Sequence, residues 1–194
     1  MKKKLIILFT VLIGFAAVYF FWPRTVELPK LGIIEDPQLN YQGEEKFIFL
    51  SAKPKLVTFF YTQCPDVCPM TVMDLTRLQQ TLQTIGVGEN EYDVILITLD
   101  PEVDTVEKIE QYKKHFDITA KNWFFLRGTV KQTRDITKQF NMAFKKDRDG
   151  LIVHSTTMYL LDANNQIRSY HEMNTGQKAV NLEQLAENIQ TLIQ

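Results

Sequence analysis

The chain has 194 residues, with 22 Lys and Arg against 23 Asp and Glu, 11% aromatic residues and only 15 Pro plus Gly. That composition excludes a disordered chain, which would be poor in aromatics. Three of the basic residues precede position 22, and the rest of the chain carries 19 basic and 23 acidic side chains. A domain with a net acidic balance has no clustered basic surface for phosphates, so nucleic acid is excluded as the main partner.

Lys2, Lys3 and Lys4 are followed by eighteen uncharged residues, Leu5 to Trp22. As a helix this run is about 27 Å long, close to the ~30 Å hydrocarbon core of a bilayer. Residues 1–22 are therefore expected to form a basic flank and a single transmembrane helix. The positive-inside rule puts the N-terminus in the cytoplasm and the rest of the chain outside it, at the cell membrane. A cleaved signal peptide is the competing reading. Bulky Tyr19 to Trp22 and the lack of an A-x-A spacing favour a retained anchor. Residues 23–40 hold Pro23, Pro29 and Pro37 and read as a stalk, leaving 41–194 as the domain.

Within the domain, Phe47–Leu50 is a short apolar run, and Leu56–Tyr61 reads as a strand buried on both faces. A helix is expected over about Pro69–Thr84, with Val72, Leu75, Leu78 and Leu82 on one stripe. Asp93–Leu99 is a second buried strand. Asp104 with Glu107 predicts a capping box and a helix through Phe116. Trp123–Leu126 is a strand, and Thr129 with Gln132 opens another helix running to Phe140. Asp149-Gly150 is a turn. Ser155–Leu161 and Ile167–Tyr170 form a hairpin across Asn164-Asn165, and a last helix starts near Asn181. This order predicts an α/β domain around a mixed central sheet, parallel first and antiparallel at the end, with flanking helices.

The chemistry concentrates at one junction. Cys64 and Cys68, the only cysteines, lie in Thr62-Gln63-Cys64-Pro65-Asp66-Val67-Cys68-Pro69, between the first buried strand and the first helix. Ligands of open α/β sheets bind at such carboxyl strand ends. The prolines predict Cys68 as N-cap and Pro69 as the first helical residue, which would lower the Cys68 thiol pKa at the positive end of the helix dipole. The spacing allows either a disulfide or two thiolates on one metal. A purely structural bridge over so short a loop would gain little entropy. Among the histidines, His115 and His171 read as solvated, whereas His154 stands just before a core strand. Two thiolates and one imidazole form a soft donor set suited to copper or zinc; no further Cys supplies the fourth ligand of a structural zinc site, whereas Cu(I) tolerates two or three ligands, so the count favours copper. Met70 and Met73 flank the helix start but at helical spacing read as core.

These residues resemble the Sco (SenC) family of copper-binding, thioredoxin-fold assembly factors of cytochrome c oxidase. The resemblance rests on Phe59-Phe60-Tyr61-Thr62-x-Cys64-Pro65-Asp66-Val67-Cys68-Pro69, on Leu99-Asp100-Pro101-Glu102-x-Asp104-Thr105, and on His154-Ser155 leading into Met158-Tyr159-Leu160-Leu161-Asp162. Order and spacing agree over roughly residues 45–190. The resemblance implies a thioredoxin-like fold with Cys64, Cys68 and His154 as copper ligands, and Asp100 as an acidic residue near the site. Gln63 departs from the family's frequent His, and the hairpin before the cysteine strand is shortened around Tyr41–Lys55.

Three functions follow as expectations. The first is a metallochaperone delivering copper to the dinuclear centre of oxidase subunit II. The second is a thiol-disulfide oxidoreductase that reduces that centre's cysteines through the Cys64/Cys68 pair, recharged by a thiol-disulfide reductant. The third is a redox or copper sensor.

Overall fold

The computed structural model describes residues 2–21, 27–36, 38–41, 45–46, 49 and 51–193. The first helix, α1 (Lys2–Phe21), is the one described helix long and apolar enough to cross a membrane. In the domain the elements run β1 (Gly32–Ile33), β2 (Asn40–Tyr41), β3 (Glu45–Lys46), β4 (Lys55–Phe60), α2 (Val67–Thr84), β5 (Asp93–Thr98), α3 (Val106–His115) and β6 (Trp123–Arg127). They continue with α4 (Val130–Gln139), β7 (Phe144–Lys146), β8 (Ile152–His154), β9 (Thr157–Leu161), β10 (Gln166–Glu172) and α5 (Leu182–Ile193).

Eight strands form one sheet in the order β1-β10-β9-β4-β5-β6-β2-β3. β4, β5 and β6 are parallel, and β9 and β10 complete the sheet in antiparallel fashion. This is the mixed α/β thioredoxin-like arrangement expected from the alternation of elements. Every residue of β4 and of β5 is buried, because helices cover both faces. Phe59 meets Phe140 at the end of α4 and Phe60 meets Tyr112 of α3, so successive side chains of β4 serve opposite faces. Most of the apolar run Phe47–Leu50 lies outside the described residues; Phe49 alone is described, and it is fully buried.

The two middle helices start where local chemistry lets them. Thr129 and Gln132 form the expected capping box of α4. At α3 the cap is Thr105, whose hydroxyl accepts from the Lys108 amide, and not Asp104. Asp104 is fully buried and turned the other way. At α2 the cap is Asp66, so the helix begins two residues earlier than expected and Cys68 lies inside its first turn.

β7 and β8 form a separate two-stranded hairpin, of which the sequence predicts only the Asp149-Gly150 turn. The Asp149-Gly150 turn closes it, with Gly150 at φ 89°, a value that favours glycine. His154 pairs with Phe144 in this hairpin and so does not lie directly on the core strand, which starts at Thr157.

Part of the expected stalk is docked on the sheet. β1 pairs with β10, Leu31 donates to the Ile167 carbonyl at 2.8 Å and Ile34 to the Asn165 carbonyl at 3.0 Å. The register of β10 slips between Ile167 and Ser169, which makes Arg168 a bulge residue. Its guanidinium pairs with Asp162 at 2.8 Å and donates to the carbonyls of Leu28 and Pro29. Arg168→Ala should strand the largely buried Asp162 carboxylate and cost about 3 kcal/mol of stability. It should also release residues 28–34, seen as faster amide exchange at Leu31 and Ile34 with protection of β4 and β5 retained.

Candidate metal centre

β4 ends at Phe60, and the chain turns over Tyr61 to Asp66 before α2 begins. The Cys64 amide donates to the Tyr61 carbonyl at 3.2 Å, which closes the turn. The Cys64 sulfur then accepts the Cys68 amide at 3.4 Å. Both residues are free thiols; Cys64 is half-buried and Cys68 fully buried.

The two thiols are electrostatically unequal. A hydrogen bond from the Cys68 thiol, followed by the amides of Cys68 and Asp66 and the Tyr61 hydroxyl, brings Cys64 down to about 6 against the opposing effect of burial. The bond to Cys64, burial and the Cys64 charge push Cys68 upward. The helix N-terminus therefore favours the thiolate at Cys64, whereas the expected placement of Cys68 at the cap had assigned that benefit to Cys68. The reason is geometric: with Asp66 at the cap, the free amides of the first turn point back at residue 64.

Tyr61 was not singled out from the sequence. It is fully buried, and burial together with the Cys64 charge raises its phenol to about 12. Its ring lies edge-on to the His154 ring with centroids 6.4 Å apart, so one side chain touches both the thiol loop and the hairpin. His154 Nδ1 lies 2.8 Å from the Ser155 carbonyl. A carbonyl only accepts, so Nδ1 carries the proton and Nε2 keeps its lone pair for a ligand. Burial lowers the His154 pKa, which keeps the ring neutral and available as a donor.

Cys64, Cys68 and His154 thus share one pole of the sheet. No three His, Cys, Asp or Glu side chains among the described residues converge closely enough to hold a metal ion. The thiols form the close pair, and His154 stands beside them across the Tyr61 contact. The donor chemistry fits a soft metal: an accessible thiolate, a second thiol one hydrogen bond away and a neutral imidazole. Cys64 also opens onto a groove of about 510 Å³ lined by Thr62, Pro69, Lys108, Tyr112 and His115.

Asp100 and Asp104 occupy the next turn, at the end of β5. Asp104 accepts the Thr62 amide at 3.2 Å and the Thr62 hydroxyl at 2.5 Å, and also the Thr98 hydroxyl. Asp100 is buried and pairs with Lys146 of β7 at 2.6 Å. Among the described residues it makes no hydrogen bond to either cysteine, and its carboxylate serves the hairpin.

The other candidates fall elsewhere. His115 is exposed at the end of α3, as expected. His171, expected to be solvated, is buried: it exchanges a hydrogen bond with the Ser169 hydroxyl at 2.9 Å, and burial pushes it down to about 4. It sits on the inward side of β10, a face that the short run Ile167–Tyr170 did not reveal. Met73 is half-exposed, and Met70 packs beside Gly176, so neither belongs to the core.

The inequality of the thiols has a direct readout. Alkylation of the reduced protein should modify Cys64 first, its rate rising with pH through a midpoint near 6 as the thiol ionises, while Cys68 stays unreactive until denaturant is added. Comparable rates at both residues at pH 7 would contradict the arrangement.

Comparison with known proteins places this geometry. The SCO1/SenC family profile matches residues 45–194. The chain is 30% identical to a SCO2-like protein of Rickettsia conorii, over 90% of this chain and 92% of that one. It is 25% identical to the SCO1 protein homolog of Bacillus subtilis, over 69% and 75% of the two chains. Its fold superposes on a SCO1/SenC family lipoprotein of Bacillus anthracis with a TM-score of 0.72 at 20% identity, covering 88% of this chain and 98% of that one. Copper-bound ScoI of Bradyrhizobium japonicum superposes with a TM-score of 0.64 at 24% identity, over 80% and 96%. With its Cys-Pro-x-x-Cys-Pro turn set in this sheet, the chain belongs to the SCO1/SenC family.

Proposed function

We propose that this protein is a membrane-anchored copper metallochaperone that assists assembly of the dinuclear copper centre of cytochrome c oxidase subunit II. The observation that carries the reading is the pair of unequal thiols at the end of β4, with a neutral histidine at the same pole whose Nε2 is unencumbered. Family membership supports the oxidase context. A relative in Stutzerimonas stutzeri that is named for copper binding, 23% identical over 76% of this chain, and the copper-bound ScoI structure support copper as the cargo.

Cys64 and Cys68 would hold Cu(I) as thiolates, and His154 would complete the set for Cu(II), which prefers more ligands and a tetragonal geometry. Copper favours the deprotonated dithiol, so loading draws the Cys68 proton out against its raised pKa. Half-buried Cys64, which opens onto the groove, is the natural point for handing the metal to an acceptor thiol. The helix α1, with its three lysines, would hold residues 1–22 in the membrane with the N-terminus cytoplasmic. The domain would then face subunit II at raised effective concentration.

A specific observation also favours the thiol-disulfide oxidoreductase reading. Cys64 has the lowered pKa of an attacking thiol and Cys68 is the buried resolving partner. The two roles use the same residues and need a reductant to restore the dithiol. His154 separates them.

Copper titration of the reduced domain lacking residues 1–22 tests the proposal. We expect one copper per chain, lost in Cys64→Ser and Cys68→Ser and lost on oxidation to the disulfide. His154→Ala should keep most Cu(I) affinity and lose the thiolate-to-Cu(II) absorption band. Full oxidase assembly in cells carrying His154→Ala would instead favour the reductase reading. Cells with an untethered, exported domain at matched abundance should assemble less oxidase than cells with the anchored form.

A further inference from the structure

Two carboxylates of one turn hold the two halves of the candidate site. Asp100 and Asp104 are four residues apart, and the Asp104 amide donates to the Asp100 carbonyl at 2.8 Å, which folds the turn tightly. The Asp100 amide donates to the Thr98 hydroxyl at 3.0 Å, and that hydroxyl donates to Asp104. Outward from this knot, Asp104 holds the thiol loop through Thr62, and Asp100 holds the β7–β8 hairpin through Lys146.

The hairpin gives Lys146 unusual reach. It is a two-stranded piece outside the main sheet, so no ladder bond of the sheet fixes its position. Lys146 pairs with Ile152 in register, two residues from His154, and Phe144 pairs with His154 itself. Burial of Asp100, 4% exposed, shields the ion pair from water on one side, which makes it stronger than a surface contact. The hairpin also meets the core through buried Ile152, through Phe144 packed against the core cluster, and through the contact of His154 with Tyr61.

We propose that Lys146 is a positioning residue for the third copper ligand: its ion pair with Asp100 fixes the β7–β8 hairpin over the thiol loop and so sets where the His154 imidazole stands. The inference rests on the copper reading given above. Neither Lys146 nor Asp100 touches the metal in this arrangement. They act on the ligand whose element lies outside the main sheet, whereas Cys64 and Cys68 are set by the start of α2.

The test compares Lys146→Met, Lys146→Arg and Asp100→Asn with the parent and with His154→Ala. In the metal-free protein, amide exchange of residues 151–155 should accelerate in Lys146→Met and in Asp100→Asn, with β4 and α2 unchanged. Lys146→Met targets a partly exposed side chain and so should remain folded. With copper, Lys146→Met should weaken Cu(II) binding about tenfold, the range expected for partners of a metal ligand, and perturb the thiolate-to-Cu(II) band. Cu(I) affinity should stay within about threefold, because the thiolates alone suffice for a linear site. Lys146→Arg, which keeps the ion pair, should behave as the parent. Unchanged hairpin exchange and an unchanged Cu(II) band in Lys146→Met would overturn the inference. Equal losses of Cu(I) and Cu(II), with exchange raised throughout the domain, would also overturn it by reducing the pair to a general stabiliser. If His154→Ala abolishes the band and Lys146→Met leaves it, this inference alone fails. If the parent itself shows no thiolate-to-Cu(II) band, the copper reading fails and takes the role of Lys146 with it.

Discussion

The arrangement depends first on one buried carboxylate. Asp104 is fully removed from solvent, which raises its pKa and opposes its charge. Three donors offset that penalty: the Thr62 amide, the Thr62 hydroxyl and the Thr98 hydroxyl. Thr98 ends β5 and Thr62 begins the cysteine turn, so the carboxylate joins the carboxyl ends of two neighbouring parallel strands. Satisfying a buried acceptor with donors from both strands leaves the cysteine turn one low-energy position. The start of α2, the direction of its free amides and the difference between the two thiols all follow from where that turn is fixed.

The thiol pair also shows how little of a redox or metal site is intrinsic to cysteine. The two residues have the same side chain, four positions apart, and differ because one faces the helix amides and a groove while the other faces the core. A shift of the helix start by two residues would have reversed which sulfur gains the charge. The Asp66 cap is thus as much a determinant of Cys64 chemistry as any residue that touches the sulfur.

Much of this was legible in the sequence, and the failures have physical causes. The continuous apolar runs of β4 and β5 and the capping box at Thr129 name their elements unambiguously, because doubly covered strands and reciprocal caps leave strong local patterns. The cysteine motif was legible because two thiols beside prolines after a buried strand are chemically specific. The cap positions were not. Asp66 and Cys68, or Asp104 and Thr105, offer competing caps a residue or two apart, and the choice is made by tertiary partners such as Thr62 that lie far off in sequence. The β7–β8 hairpin escaped because Phe-Lys-Lys and Ile-Val-His are too short to display alternation. The ion pair of Asp100 with Lys146 spans 46 residues and has no local signature at all. His171 was misjudged for a related reason: burial on a bulged strand is decided by the neighbouring elements and not by the strand's own sequence.

The docking of residues 28–34 along β10 sets the length of the leash. Between Phe21, the last residue of α1, and Glu27 there are five residues, whose greatest span is about 18 Å. Arg168 reclaims from the linker everything beyond Leu28 by gripping its carbonyl. Were α1 held in a bilayer as proposed, a domain on so short a leash could not range over a large volume; it would move in a thin layer at the membrane face. On the anchored reading proposed above, the protein would recognise a partner partly by height. An acceptor whose thiols lay within that layer would meet Cys64 repeatedly, while an equally reactive thiol presented farther out, or free in solution, would meet it seldom. Selectivity of that kind needs no complementary surface, and lengthening the linker would erode it without altering a single residue of the site.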